Sequence, residues 1–320
     1  MKVEIQEKEL TIIVPCYNEG INVDFLHAEI VNLFSGSKNS IEIVFIDDGS
    51  SDDTLEVMKE IALKSIFKIK IISFSRNFGK EAAILAGLQE STGKYTIIID
   101  ADLQQNPKYI LEMKKILDEN PEIDVVAAYP EKRKENFFKR LAKKTFYRLM
   151  SKLSEVELKD SVSDFRIFRR NVLESMLSLS EKHRFTKGIF AWVGFNTYYY
   201  PYHVEKRATG KSKWRFKSLF AYAMDGLVDF SKKPLLVAVY VGLFLMIVSS
   251  IIAIVLLCMN IISGTVVSGL IWIAILITEI GGCILISNGI IGYYLYKTFT
   301  EVKNRPIYIV RKRFENEKGM

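Results

Sequence analysis

Tyr95-Thr96-Ile97-Ile98-Ile99-Asp100-Ala101-Asp102-Leu103-Gln104 decides the fold. The β-branched run reads as a buried strand, and it delivers two carboxylates, one residue apart, into the loop that follows. Working outward, the same punctuation recurs. An apolar run at residues 10–16 ends at Tyr17-Asn18-Glu19, and a second at 41–46 ends at Asp47-Asp48-Gly49-Ser50. Further strands are expected at 69–74 and 123–128. Between them, residues 22–34, 52–64 and 80–90 read as helices, the first spacing its apolar residues at helical intervals. Ser50 or Ser51 is the expected cap of the second helix, and Pro107 opens a fourth. The alternation predicts an α/β fold, a mostly parallel sheet covered by helices, whose ligands bind at the carboxyl ends of the strands. Both acidic clusters fall at such ends.

The chain has 320 residues and a formal net charge of +7, with a pI near 9.0. Mean hydropathy is +0.13, but the apolar excess is concentrated: residues 234–278 contain no Asp, Glu, Lys or Arg. Beside such a tail, a basic balance points to an anionic membrane surface rather than to nucleic acid. Cys16, Cys258 and Cys283 form neither a disulfide framework nor a zinc pattern, which suits a reducing compartment. The N-terminal decapeptide lacks the apolar core of a signal peptide, so the front of the chain is expected in the cytosol.

Two spans are expected at 234–258 and 270–296, each longer than the ~20 residues a bilayer requires. The linker at 259–269 has no Lys or Arg, whereas Lys232 and Lys233 precede the spans and Lys297, Lys303 and Arg305 follow them. The positive-inside rule places both flanks in the cytoplasm. Residues 137–153 set Phe137, Phe138, Leu141, Phe146, Leu149 and Leu153 against six basic residues. That pattern fits a helix lying in the membrane plane, or a surface helix with a solvated basic face. Residues 214–230 are a second amphipathic candidate. The expected organisation is a catalytic domain at 1–210, an amphipathic segment at 211–233, a two-helix transmembrane hairpin at 234–297 and a cytoplasmic tail at 298–320, with self-association into a homo-oligomer.

Asp100 and Asp102 suit a nucleotide diphosphate. Mg²⁺ or Mn²⁺, held by one or two carboxylates plus phosphate oxygens, neutralises the charge of such a leaving group. Gln104 is spaced to add an oxygen ligand, directly or through water. Asp-x-Asp also occurs at ordinary polar strand ends, so its weight rests on its place after the fourth strand. Asp48 can accept from the imide of a uracil, although Asp-Gly-Ser is also a turn former. Tyr17 can flank a base and Glu19 can reach a ribose hydroxyl. His27, His183 and His203 show no metal-ligand spacing. Gly210-Lys211-Ser212 lacks the upstream glycine of a P-loop, where Glu205 stands, and no G-x-G-x-x-G follows the first strand.

Residues 12–19, 46–50 and 100–104 resemble the family 2 inverting glycosyltransferases of the GT-A fold. Ser75-Arg76-Asn77-Phe78-Gly79-Lys80, Asp164-Phe165-Arg166, Arg184-Phe185-Thr186-Lys187-Gly188, Trp192-Val193-Gly194-Phe195 and residues 207–214 resemble its polyprenyl-phosphate branch. The two-span tail followed by Glu301-Val302-Lys303-Asn304-Arg305-Pro306 looks like the bactoprenol group, except that Tyr293 stands where that group usually has Glu. The resemblance implies that Pro15, Tyr17, Glu19 and Asp48 bind the uridine. It makes Asp100, Ala101 and Asp102 the donor triplet, with Asp100, Asp102 and Gln104 on the metal. Arg207, Ser212 and Lys213 would close over the donor diphosphate and the acceptor phosphate. The implied catalytic set is Asp102, Asp164 and Arg207, with Asp164 a base or a positioning residue.

The expected function is inverting transfer of a hexose, glucose from UDP-glucose, to undecaprenyl or another polyprenyl phosphate at the cytoplasmic membrane face. N-acetylglucosamine and galactose are the alternative sugars. A processive polysaccharide synthase would carry a Gln-x-x-Arg-Trp motif, and no Gln follows Gln105. A non-catalytic scaffold or lipid-flipping subunit is the rival from another class, disfavoured by the intact Asp100, Asp102 and Arg207.

Overall fold

The computed structural model describes residues 8–37, 40–131, 162–182, 184–205 and 269–316, with isolated positions between 244 and 262. The elements run β1 (Leu10–Cys16), α1 (Gly20–Phe34), β2 (Ile41–Asp47), α2 (Thr54–Lys64), β3 (Lys68–Phe74), α3 (Lys80–Glu90), β4 (Tyr95–Ile98) and α4 (Lys108–Glu119). There follow β5 (Val125–Pro130), β6 (Arg166–Arg169), α5 (Arg170–Ser178), α6 (Thr186–Val193), β7 (Thr197–Tyr202), α7 (Gly269–Val302) and β8 (Val310–Glu315). They build an eight-stranded sheet in the order β7-β5-β6-β4-β1-β2-β3-β8.

The four central strands, β4, β1, β2 and β3, are mutually parallel. They are rich in Ile and buried along nearly their whole length, because helices cover both faces. Ile12, Val14, Ile43 and Phe45 join the core beneath α1, where Val23, Leu26, Ile30 and Phe34 are buried. Each such side chain contributes about 1.5–3 kcal/mol relative to exposure. On the other face α3 lies close because it is built of small residues. A Cβ on Gly87 would sit 2.2 Å from Ile13 Cγ2. Gly49 ends β2 with φ +65°, and a Cβ there would lie 2.3 Å from the Arg76 carbonyl carbon, so the turn requires glycine.

The sheet departs from simple alternation in three places. β6 runs antiparallel to β4 and to β5, β7 pairs parallel with β5, and β8 runs antiparallel to β3. The expected cap of α2 also differs. Asp53 occupies the cap position without a side-chain cap bond, while Ser50 Oγ accepts from Asn18 N–H and Ser51 N–H donates to Asn18 Oδ1.

β8 changes the domain map. A boundary at 210 leaves residues 298–320 as a tail, yet residues 310–315 complete the sheet of the catalytic domain. Tyr308 stacks on Phe74 at 4.7 Å between ring centroids. Asn316 is 8% exposed; its amide donates to the Ala62 and Phe67 carbonyls while its oxygen accepts from Ile69 N–H. Glu301, near the end of α7, accepts from Lys182 N–H.

Among the described residues no helix is long and apolar enough to cross a membrane. The expected two-span hairpin is therefore not recovered. The first expected span lies outside the described residues except for isolated positions, as do both amphipathic candidates at 137–153 and 214–230. The second falls within α7, which exposes Leu270, Ile273, Ile277, Ile284, Ile291 and Leu295.

Candidate active site

The carboxyl ends of β1, β2 and β4 bring the expected residues to one rim of the sheet. After β4 the chain turns at Leu103, whose φ is +59°. Gln105 anchors this loop: its Oε1 accepts from Asp100 N–H, and its Nε2 donates to Asp100 Oδ2 and to Ser163 Oγ. The side chain is buried, at 4% exposure, so the anchor is rigid. Gln104 is held by its backbone, donating N–H to Asp102 Oδ1 and accepting from Glu205 N–H. The second contact ties the loop to the segment after β7.

Asp164 enters from the loop before β6. Lys80, on the first turn of α3, joins it to the Asp-x-Asp loop. Its Nζ lies 2.6 Å from Asp100 Oδ1 and 2.9 Å from Asp164 Oδ2. Burial alone would lower the Lys80 ammonium, but the two carboxylates outweigh it and hold it above the ordinary lysine range. Burial likewise pushes Asp164 up, and Lys80, Lys187 and Arg166 outweigh that, holding its carboxyl well below the carboxylate range. Asp164 Oδ1 is buried and has no hydrogen-bond partner among the described residues.

Asp48 governs the start of α3. Phe78 N–H donates to its Oδ1 at 2.6 Å and Gly79 N–H to its Oδ2 at 2.9 Å. Burial pushes this carboxyl up against those two donors. Asp48 thus fixes the loop carrying Lys80, and a uracil imide would use a remaining lone pair. At the end of β1, Pro15 pairs with Ile46, and Tyr17 is 37% exposed. Asn18 turns with φ +53°, and Glu19 accepts from Asn22 Nδ2. Ala101 is buried beneath the loop.

Arg184, which stands in one of the motifs that carry the resemblance, has a structural place. Its guanidinium donates to the Leu179 and Met176 carbonyls, closing the end of α5. Arg166 donates to the Ser163 carbonyl and lies 4.5 Å over the Phe190 ring. Arg207, Ser212 and Lys213 lie outside the described residues. Sequence reasoning assigned no role to Lys80, Gln105 or Ser163. Lys80 was present in a quoted motif, but its partners stand 20 and 84 positions away.

Among the described residues no three or more His, Cys, Asp or Glu side chains converge as a cation site. The donor set is smaller: Asp100 already holds a cationic group, and Asp102 is two residues on. Two carboxylates suit Mg²⁺ or Mn²⁺ when substrate phosphates complete the shell.

Comparison with known proteins bears on the family and the fold. The description Glycosyl transferase family 2 fits residues 11–177. CsbB of Bacillus subtilis (strain 168) is 41% identical over 304 residues, covering 95% of this chain and 91% of that protein. The SfII prophage-derived bactoprenol glucosyl transferase of Shigella flexneri is 33% identical, covering 95% of this chain and 98% of that protein. Among solved structures, glucosyl-3-phosphoglycerate synthase from Mycobacterium tuberculosis, in complex with Mn²⁺, uridine diphosphate and glucosyl-3-phosphoglycerate, superposes with a TM-score of 0.51 at 16% identity. It covers 69% of this chain and 78% of that one, a likeness of fold. With the family match extending over half the chain and the relatives over nearly all of it, the protein belongs to glycosyl transferase family 2, has the GT-A fold and is a glycosyltransferase.

Proposed function

We propose that this enzyme transfers glucose from UDP-glucose to undecaprenyl or another polyprenyl phosphate, with inversion, at the cytoplasmic face of a membrane. One observation carries the reading. Asp100 and Asp102 stand at the carboxyl end of β4, beside the β1 and β2 ends that bear Tyr17, Glu19 and Asp48, in a chain that matches a bactoprenol glucosyl transferase over 95% of its length. Asp100 and Asp102, with Gln104 beside them, would hold Mg²⁺ or Mn²⁺, which when bound offsets charge on the departing diphosphate. Tyr17, Glu19 and Asp48 would bind the uridine.

A polyprenyl phosphate is already an anionic nucleophile at neutral pH and needs little help from a base. Asp164 suits that chemistry as a positioning group. Held ionised by Lys80, it is a poor proton acceptor. Arg207, Ser212 and Lys213 would hold the two anionic reactants in line. Incubation of the purified enzyme with undecaprenyl phosphate and labelled UDP-glucose, UDP-galactose and UDP-N-acetylglucosamine tests this. The expected product is a mild-acid-labile lipid with one glucose and one phosphate. A polymer, or sugar on a lipid hydroxyl, overturns the acceptor assignment.

The membrane arrangement belongs to the same proposal. Residues 234–258 and 270–296 contain one Asp, Glu, Lys or Arg between them, Glu279, and basic residues flank the pair. This supports two spans with the linker outside. In a background lacking Cys16, Cys258 and Cys283, a cysteine replacing Ser263 is expected to react with an impermeant thiol reagent added to intact cells. One replacing Arg311, on an exposed position of β8, is expected not to react until the cells are opened. The reverse pattern refutes the topology.

A further inference from the structure

Lys80 occupies a position that the donor-site reading leaves without a task. Asp100 spends both oxygens on protein partners, Oδ1 on Lys80 and Oδ2 on Gln105. Each oxygen keeps a free lone pair, but a divalent cation drawn to Oδ1 comes up against the Lys80 ammonium and is repelled by it, whereas the neutral Gln105 amide on Oδ2 carries no such charge. Gln105 is the fixed partner: it is buried and holds the Asp100 amide and Ser163 as well as the carboxylate. Lys80 is the yielding one. Its ammonium sits on a flexible four-carbon stem, its side chain is 36% exposed, and its attraction to Asp100 is partly screened.

An acceptor also waits for it. Asp164 already holds Lys80 through Oδ2, and its Oδ1 is buried with no hydrogen-bond partner among the described residues. A shift of the ammonium from Asp100 onto Asp164 satisfies that oxygen and frees Asp100 Oδ1. Asp48 keeps the stem in reach, because its carboxylate holds the amides of Phe78 and Gly79 immediately before Lys80.

We propose that Lys80 is a built-in counter-ion for Asp100 which a divalent cation must displace, and that Asp164 is the positioning residue that receives the displaced ammonium. This rests on the reading of Asp100 as a metal ligand. Lys80 thereby competes with the metal, and Asp164 relieves the competition. The two residues have opposite effects on cation affinity.

The test is Mn²⁺ binding to the full-length protein in detergent with UDP present, read as free Mn²⁺ by electron paramagnetic resonance. Lys80→Met is expected to tighten Mn²⁺ binding about tenfold, and Asp164→Asn to weaken it by a similar factor, as contacting charges couple. Asp164→Asn in the Lys80→Met background is expected to change nothing further, because the ammonium it served is gone. Lys80→Gln, with thermal melts for every variant, serves if the methionine variant does not fold. Unchanged or weaker Mn²⁺ binding in folded Lys80 variants overturns the proposal. Equal weakening by Asp164→Asn in both backgrounds also overturns it, since Asp164 would then act on the cation directly. Failure of the unaltered protein to bind Mn²⁺ with UDP present overturns the donor-site reading itself.

Discussion

Asp102→Asn is expected to leave the protein folded and to lower sugar transfer by about 10²-fold or more, the usual cost of losing an electrostatic stabiliser of the leaving group. The fold survives because the loop is anchored elsewhere. Gln105 holds Asp100 and Ser163, and an asparagine oxygen can still accept from Gln104 N–H. The substitution removes charge while keeping shape, so the defect falls on chemistry. A chelator is expected to reproduce it in the unaltered enzyme and added Mg²⁺ or Mn²⁺ to reverse it. A radiolabelled transfer assay beside a thermal melt reads both. Robust transfer in excess EDTA removes the metal from the mechanism.

Arg207→Ala is the second large effect, with an expected loss of about 10²- to 10³-fold in transfer. In the proposed reaction two anionic reactants approach in line, and a guanidinium holds phosphate oxygens through two parallel charge-assisted bonds, which a lysine matches only as a point charge. Arg207→Lys is therefore expected to recover part of the rate. Asp164→Asn should cost less, with its deficit shrinking as Mn²⁺ is raised. The comparison separates an active-site arginine from an ordinary juxtamembrane basic patch. If Arg207→Ala keeps its kcat and loses only vesicle association, Arg207 is reading headgroups. The anomeric form of the product decides inversion: single displacement on an α-linked donor gives a β-linked lipid, and an α-linked product excludes it.

The parts of the fold legible in the sequence are those whose signal is local. Helix α3 spans Lys80–Glu90 as expected, and β1 spans Leu10–Cys16, since burial on both faces gives strands continuous apolar runs. Three strands escaped. β6 is Arg-Ile-Phe-Arg, only four residues framed by charge. β7 has the aromatic-rich sequence Thr-Tyr-Tyr-Tyr-Pro-Tyr, whose alternation is weak. β8, Val-Arg-Lys-Arg-Phe-Glu, reads as a solvated basic tail because an edge strand bears the charges that discourage further pairing.

The site divides in the same way. Strand-end carboxylates could be found by position, whereas roles fixed by distant partners could not. Arg184 stands in a motif of the resemblance, yet the Leu179 and Met176 carbonyls at the end of α5 take its guanidinium, and no local pattern signals them. Gln105, beside the Gln104 singled out for a metal, is the residue that fastens the loop.

The antiparallel register of β8 with β3, in which Ile72 faces Arg313 and Lys70 faces Glu315, has a counting consequence. The chain leaves the sheet after Tyr202 and rejoins it at Val310. One hydrogen-bonded sheet cannot straddle a bilayer, so departure and return lie on the same side. Whatever the intervening segment does, it crosses an even number of times, and a lone anchoring span is forbidden by parity. The hydrophobic stretch is a stirrup sewn to the enzyme at both ends, not a rope with a loose one.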